Sequence, residues 1–192
     1  MYKDIEEITL DFNIIITCEP GRENIDWAFS QINNCIGTSY IVVKIRSSLI
    51  LLNISDPYST WYKLKTCLYG KDTPIHRVIP VDVVVEPIIN KIAQEAQKYA
   101  LSRIPQNSSF RITLHGKVYV INEKGRLIKI PSIEAIRTIA EGINRRVDLE
   151  NPEWVVYIRS VPIRRWNVLT AISVAKAIVF KNIRIGEPMN PL

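Results

Sequence analysis

The residues whose types and spacing point to chemistry in this chain are basic. Arg111, His115 and Lys117 lie on and just after one strand-like run, and Lys124, Arg126 and Lys129 occupy the hairpin-like stretch that follows. Arg137, Arg145 and Arg146 lie on the polar side and at the end of a helix-like segment, and Arg164-Arg165-Trp166 fills a turn between two strand-like runs. Guanidinium and ammonium groups grip phosphate oxygens, and an indole beside two of them can stack on an unpaired base. Two plainer roles stand beside these. Arg145-Arg146 also complements a helix dipole, and Trp166 equally suits a core or an interface.

The charge distribution supports the basic set. The 192-residue chain carries a net +6. Through Ile75 there are seven bases and nine acids, a net of −2; from His76 onward there are 18 bases and 10 acids, a net of +8. Such asymmetry suits a polyanion partner. Lys63 and Lys65, in the acidic half, fall outside the basic set.

Familiar catalytic devices are missing from the sequence. There is no GxxxxGK[ST], no GxGxxG after a strand and no GxSxG, and only seven glycines occur. Two histidines, His76 and His115, and three cysteines without a CxxC argue against a zinc site or a disulfide framework. Cys18, Cys35 and Cys67 read as small packing residues in a reducing, cytoplasmic compartment. No catalytic residue, metal or cofactor is assigned, so the chain reads as no enzyme. No apolar run reaches the roughly 20 residues that a membrane helix needs, and the acidic start is not a secretory signal.

These side chains must be positioned by an α+β fold. Phe12–Thr17 reads as a strand closed by Pro20-Gly21, and Asn24 caps a helix through Ile36 that Gly37 stops. Tyr40–Ile45 and Leu49–Ile54 form a hairpin across Arg46-Ser47-Ser48. Asp56-Pro57 starts a second helix that ends at Gly70. Val81–Val85 is a strand, beginning as early as Arg77. This β-α-β-β-α-β order is that of a ferredoxin-like unit. A helix from Glu86-Pro87 to Arg103 follows, then the strands Phe110–Leu114, Val118–Ile121 and Leu127–Ile130, the last two turning at Lys124-Gly125. Ser132 caps a further helix whose stripe is Ile133, Ile136, Ala140, Ile143 and Val147. Trp154–Val161 is a strand, and Val168–Phe180 holds one long strand or two short ones.

Four of these segments carry a resemblance: Ser109–Leu114, Ser132–Ile136, the run Val147-Asp148-Leu149-Glu150-Asn151-Pro152, and Trp154–Ile158. With them, the stretch from about Ile88 to Phe180 resembles a THUMP domain, an RNA-binding module of tRNA-modifying proteins. The resemblance implies a ferredoxin-like domain (1–85) packed on a THUMP α/β domain (86–192). It implies tRNA as partner, held at its acceptor stem and CCA end, with no DNA specificity. No methyltransferase, thiolation or pseudouridine-synthase segment follows, so the chain is similar to stand-alone THUMP proteins of the tRNA cytidine N4-acetylation adaptor family. That likeness implies a non-catalytic adaptor working with a separate cytidine acetyltransferase. One departure is Leu114-His115-Gly116-Lys117, where the family often carries an Arg/Lys cluster. Two other readings stay open: a small enzyme acting on an acidic substrate through His115, His76 or a carboxylate, and a ferredoxin-like module that binds a small ligand.

Overall fold

The computed structural model describes residues 11–164 and 167–192. Strands β1 (Ile14–Cys18), β2 (Ile41–Arg46), β3 (Leu49–Asn53) and β4 (Ile75–Pro80) form an antiparallel sheet in the order β2-β3-β1-β4. The apolar run Ile14–Ile16 of β1 follows from burial on both faces. Ile14 and Ile16 face helices α1 (Arg22–Ile36) and α2 (Pro57–Leu68), while Ile15 faces the second sheet.

Both helix starts have local causes. Asp56 caps α2, its carboxylate accepting from the Ser59 amide at 2.9 Å, with Pro57 following where no amide is needed. α1 starts two residues ahead of Asn24. Gly21, at φ 115°, takes the cap position, and the Asn24 side chain donates to the Pro20 carbonyl instead.

Cysteine chemistry differs from the expectation. Cys35 and Cys67 form a disulfide between α1 and α2, with Cα atoms 5.8 Å apart, and only Cys18 is a free, buried thiol. The two residues lie far apart in sequence but end on facing helices. Lys65 also differs: it is 1% exposed, a buried cation on α2.

The chain crosses to the second sheet at Val81-Asp82. The fourth strand of the first sheet is therefore Ile75–Pro80 rather than Val81–Val85, and β5 (Val83–Val85) pairs with the second sheet. Asp82 fixes this crossing. Its amide donates to the Ile172 carbonyl, and its carboxylate accepts from the Val174 amide, the Tyr58 hydroxyl and the Arg103 guanidinium, each at 2.7 Å.

The second sheet runs β5-β11-β10-β6-β9, with β6 (Ser109–His115), β9 (Arg146–Val147), β10 (Trp154–Arg164) and β11 (Asn167–Lys176). β10 is antiparallel to β11 and parallel to β6. A separate hairpin, β7 (Val118–Ile121) and β8 (Leu127–Ile130), turns through Gly125. One face of the large sheet, with Phe110, Trp154, Val156, Ile158 and Val174, is covered by α3 (Ile89–Arg103) and α4 (Ser132–Glu141). Its other face meets the first sheet: Val155, Tyr157, Val161 and Ala171 pack against Ile15, Leu51 and Ile79.

α4 is shorter than its periodicity suggests. Pro131 takes the cap position without a side-chain bond, and Gly142 ends the helix. Its buried residues are Ala135 and Ile139, while Ile133 is 58% exposed. Val147 is not on the helix at all but on β9, and it is exposed. β11 is one strand, followed by a 3-10 turn, Ala177–Phe180.

Candidate nucleic-acid interface

Strand alternation gathers cations where the two sheets meet. On β6 the side chains of Arg111, Thr113 and His115 share the face turned from α3 and α4. The parallel register sets Arg159 of β10 beside His115, and Tyr157 and Val155 share that face. Across the gap, Arg46, Leu49, Thr17 and Arg77 form one cross-strand row on the first sheet. Leu49 packs in the core between the sheets, which places this row on the face toward the second sheet.

A ring pair lies beside these cations, and main-chain carbonyls hold most of them. The His115 and Tyr157 rings are 5.3 Å apart and tilted, and Tyr157 stacks on Phe180 at 5.1 Å. Arg159 donates to the Tyr157 hydroxyl at 3.2 Å, Arg77 to the Phe180 carbonyl at 2.9 Å, and Arg46 to the Pro162 carbonyl at 3.3 Å. Among the described residues, none of these arginines is paired with a carboxylate. Arg111 donates to the Leu149 carbonyl at 3.3 Å, and its buried Nε finds no partner among the described residues.

Burial lowers the pKa of His115, and the nearby positive charges of Arg159 and Arg77 lower it further. The imidazole is thus neutral at neutral pH, with an aromatic face and a ring nitrogen free to accept. The turn after it is tight: Gly116 has φ 98°, and a Cβ there would lie 2.8 Å from the Ser160 Cβ. The Ser160 hydroxyl in turn donates to the Lys117 carbonyl at 2.8 Å. Guanidinium groups without carboxylate partners along the seam between the two sheets suit a phosphodiester strand, and His115 is the exposed ring on which a base can stack, backed by Tyr157, which is 4% exposed.

The structure puts Arg111 and His115 on one face of β6, four residues apart, with Lys117 just past the Gly116 turn, and sets Arg146 of β9 beside Ser109 at the other end of that strand. Arg164 sits exposed at the far end of β10, while Arg165 and Trp166 lie outside the described residues. Lys124, Arg126 and Lys129 are exposed on the separate hairpin, and Arg137 projects from α4, on the opposite side of the sheet. Arg145 is occupied otherwise. Its guanidinium donates to the Ile104, Asn144 and Leu101 carbonyls, which satisfies the C-terminal end of α3.

Sequence reasoning missed Arg46, Arg77, Arg159, Tyr157 and Phe180. A period-two signal was present for Arg159, which shares its parity with Val155, Tyr157 and Val161 on one strand. The meeting of Arg77 with that strand depends on sheet-on-sheet packing. Among the described residues, no group of three or more His, Cys, Asp or Glu side chains could hold a metal ion, and no helix is long and apolar enough to cross a membrane.

No protein-family model and no curated protein sequence matches the chain. Solved structures do match. PH1313 of Pyrococcus horikoshii is 19% identical with a TM-score of 0.52, covering 85% of this chain and 55% of that one. TrmN of Thermus thermophilus is 14% identical with a TM-score of 0.56, covering 90% and 47%. A 4-thiouridine synthetase, solved with RNA and bound ATP, is 13% identical with a TM-score of 0.53, covering 86% and 42%. The chain thus spans about half the length of the solved structures it matches.

This comparison corrects the expectation that the chain is no enzyme. A synthetase carries a similar fold over 42% of its length, so the absence of a familiar catalytic motif here does not separate this chain from enzymes. What the chain shares with PH1313, TrmN and the synthetase is a mixed α/β, THUMP-like fold.

Proposed function

We propose that this chain is an RNA-binding module that holds tRNA for a modification reaction. The observation that carries the reading is the cationic seam to which both sheets contribute, the groove of this proposal: Arg46 and Arg77 from one, Arg111, His115 and Arg159 from the other, with the buried Tyr157 ring behind His115. Within this proposal, the ferredoxin-like unit ends at Val81, short of the expected residue 85 because Val83–Val85 pairs with the second sheet, and a THUMP unit follows. The sheet order β2-β3-β1-β4 supports the first assignment. The duplex acceptor stem would lie along exposed cations including Lys117, Lys124, Arg126, Lys129 and Arg164, and the single-stranded CCA end in the groove. The modifying activity that we propose as partner is a cytidine acetyltransferase.

The proposed setting is the cytoplasm. A disulfide there has precedent in the intracellular proteins of hyperthermophiles.

Binding of intact tRNA, tRNA lacking its CCA end and a DNA duplex of equal length, followed by fluorescence anisotropy, tests the reading. Intact tRNA is expected to bind tightest and the DNA duplex weakest. Equal affinity for all three would refute it. Nucleoside mass spectrometry on tRNA with the chain, the acetyltransferase and both together tests the partner.

A further inference from the structure

Lys65 is a buried charge that the groove does not use. Its ammonium donates to the carbonyls of Ile183 at 2.8 Å, Asn182 at 3.5 Å and Ile185. No carboxylate pairs with it among the described residues, and the Tyr69 ring centroid lies 5.6 Å from its nitrogen. Removing an ammonium from water is costly unless its donors are met. Here they are met by main-chain oxygens of one short segment. An apolar side chain could fill the space, but only a multiple donor can gather three carbonyls around one point.

That segment leads back to the groove. The Ile183 amide donates to the His76 carbonyl at 2.7 Å, and Val179 and Ile183 are buried in the core of the first unit. Three residues before Ile183 stands Phe180, whose ring supports Tyr157 and whose carbonyl receives Arg77. His76 and Arg77 are neighbours on β4, so the segment is tied to that strand at two points. Moving residues 182–185 therefore moves Phe180 and releases the Arg77 guanidinium.

We propose that Lys65 is a positioning residue for the groove. By gathering the carbonyls of Asn182, Ile183 and Ile185, it sets Phe180 under Tyr157 and Arg77 against Phe180, without itself reaching the RNA. The proposal rests on the RNA-binding reading for its consequence and on main-chain geometry for its cause.

The test compares the full chain with Lys65→Met, Phe180→Leu and the double variant, using unmodified tRNA as ligand. Lys65→Met is expected to weaken binding roughly tenfold, the scale of one lost stacking contact. Its salt slope should fall by no more than about 0.7, the single phosphate contact that a displaced Arg77 gives up. The double variant should bind no more weakly than the weaker single, as expected for residues acting through one element. Without RNA, hydrogen exchange at the Ile183 and Ile185 amides should quicken and the near-UV dichroism of the Tyr157–Phe180 pair should fall. Unchanged dichroism in Lys65→Met overturns the proposal whether or not tRNA binds, as does parental tRNA affinity. Parental protein that binds no tRNA refutes the functional reading instead. Should Lys65→Met fail to fold, Lys65→Gln, which keeps a donor, carries the same expectations at smaller size.

Discussion

Removing Arg77 and Arg159 together should change how RNA binding responds to salt. Five permanent cations set the scale on the proposed RNA path: Arg46, Arg77, Arg111 and Arg159 of the groove, and Lys117 two residues past His115. Each phosphate contact contributes about 0.7 to the log–log salt slope for a single strand and about 0.9 for a duplex, giving about −3.5 to −4.5 for five. A rise from about 50 to about 200 mM salt would then weaken binding roughly 130- to 500-fold. With Arg77→Ala and Arg159→Ala combined, three contacts remain and the slope should fall to about −2.1 to −2.7. Anisotropy titrations of labelled tRNA at four salt concentrations measure this. Arg137→Ala is the control, because Arg137 lies on α4 across the sheet from the groove. A parental slope in the double variant, or an equal loss in Arg137→Ala, would refute the placement.

Three further outcomes follow from the geometry. His115 is held neutral by burial and by Arg159 and Arg77, whereas a bound phosphate favours its charged form. Binding should therefore take up a proton. Affinity should rise as pH falls from about 7.5 to about 6, and His115→Gln should flatten that profile at constant ionic strength. In the free protein the sign for stability is the reverse: the unfolded state binds this proton more readily, so the histidine's contribution falls as pH drops through its ordinary value. Asp82→Ala leaves Arg103 without its 2.7 Å partner in a site where the carboxylate is 1% exposed, and should cost about 3–5 kcal/mol by urea unfolding. Gly116→Ala places a Cβ against Ser160 at a positive φ, and should cost about 1–3 kcal/mol and weaken tRNA binding.

Much of the element order was legible because the local signals were strong. Asp56-Pro57 starts α2 where capping chemistry places it, and Lys124-Gly125 turns the hairpin. The errors arose where distant contacts decide. α4 looked longer because Ile143 and Val147 continue its spacing, yet Gly142 ends it and Val147 pairs in register with Phe110 on β6. Val81–Val85 reads as one strand, but the Asp82 carboxylate turns the chain between two sheets. The Cys35–Cys67 bond requires knowing that α1 and α2 pack side by side. The groove was half legible. Arg111, His115 and Lys117 are close in sequence, but Arg46 and Arg77 reach them only through sheet-on-sheet packing. Lys65 showed no sign of its role, because its partners are carbonyls about 120 residues away.

The central claim is that RNA lies in the groove between the two sheets. Ultraviolet cross-linking of bound unmodified tRNA, followed by mass spectrometry of the attached peptides, tests it most directly. Cross-links are expected in peptides containing Arg77, His115 and Arg159, and should be lost with Arg77→Ala and Arg159→Ala combined. Cross-links confined to α4, or unchanged in that double variant, would contradict it.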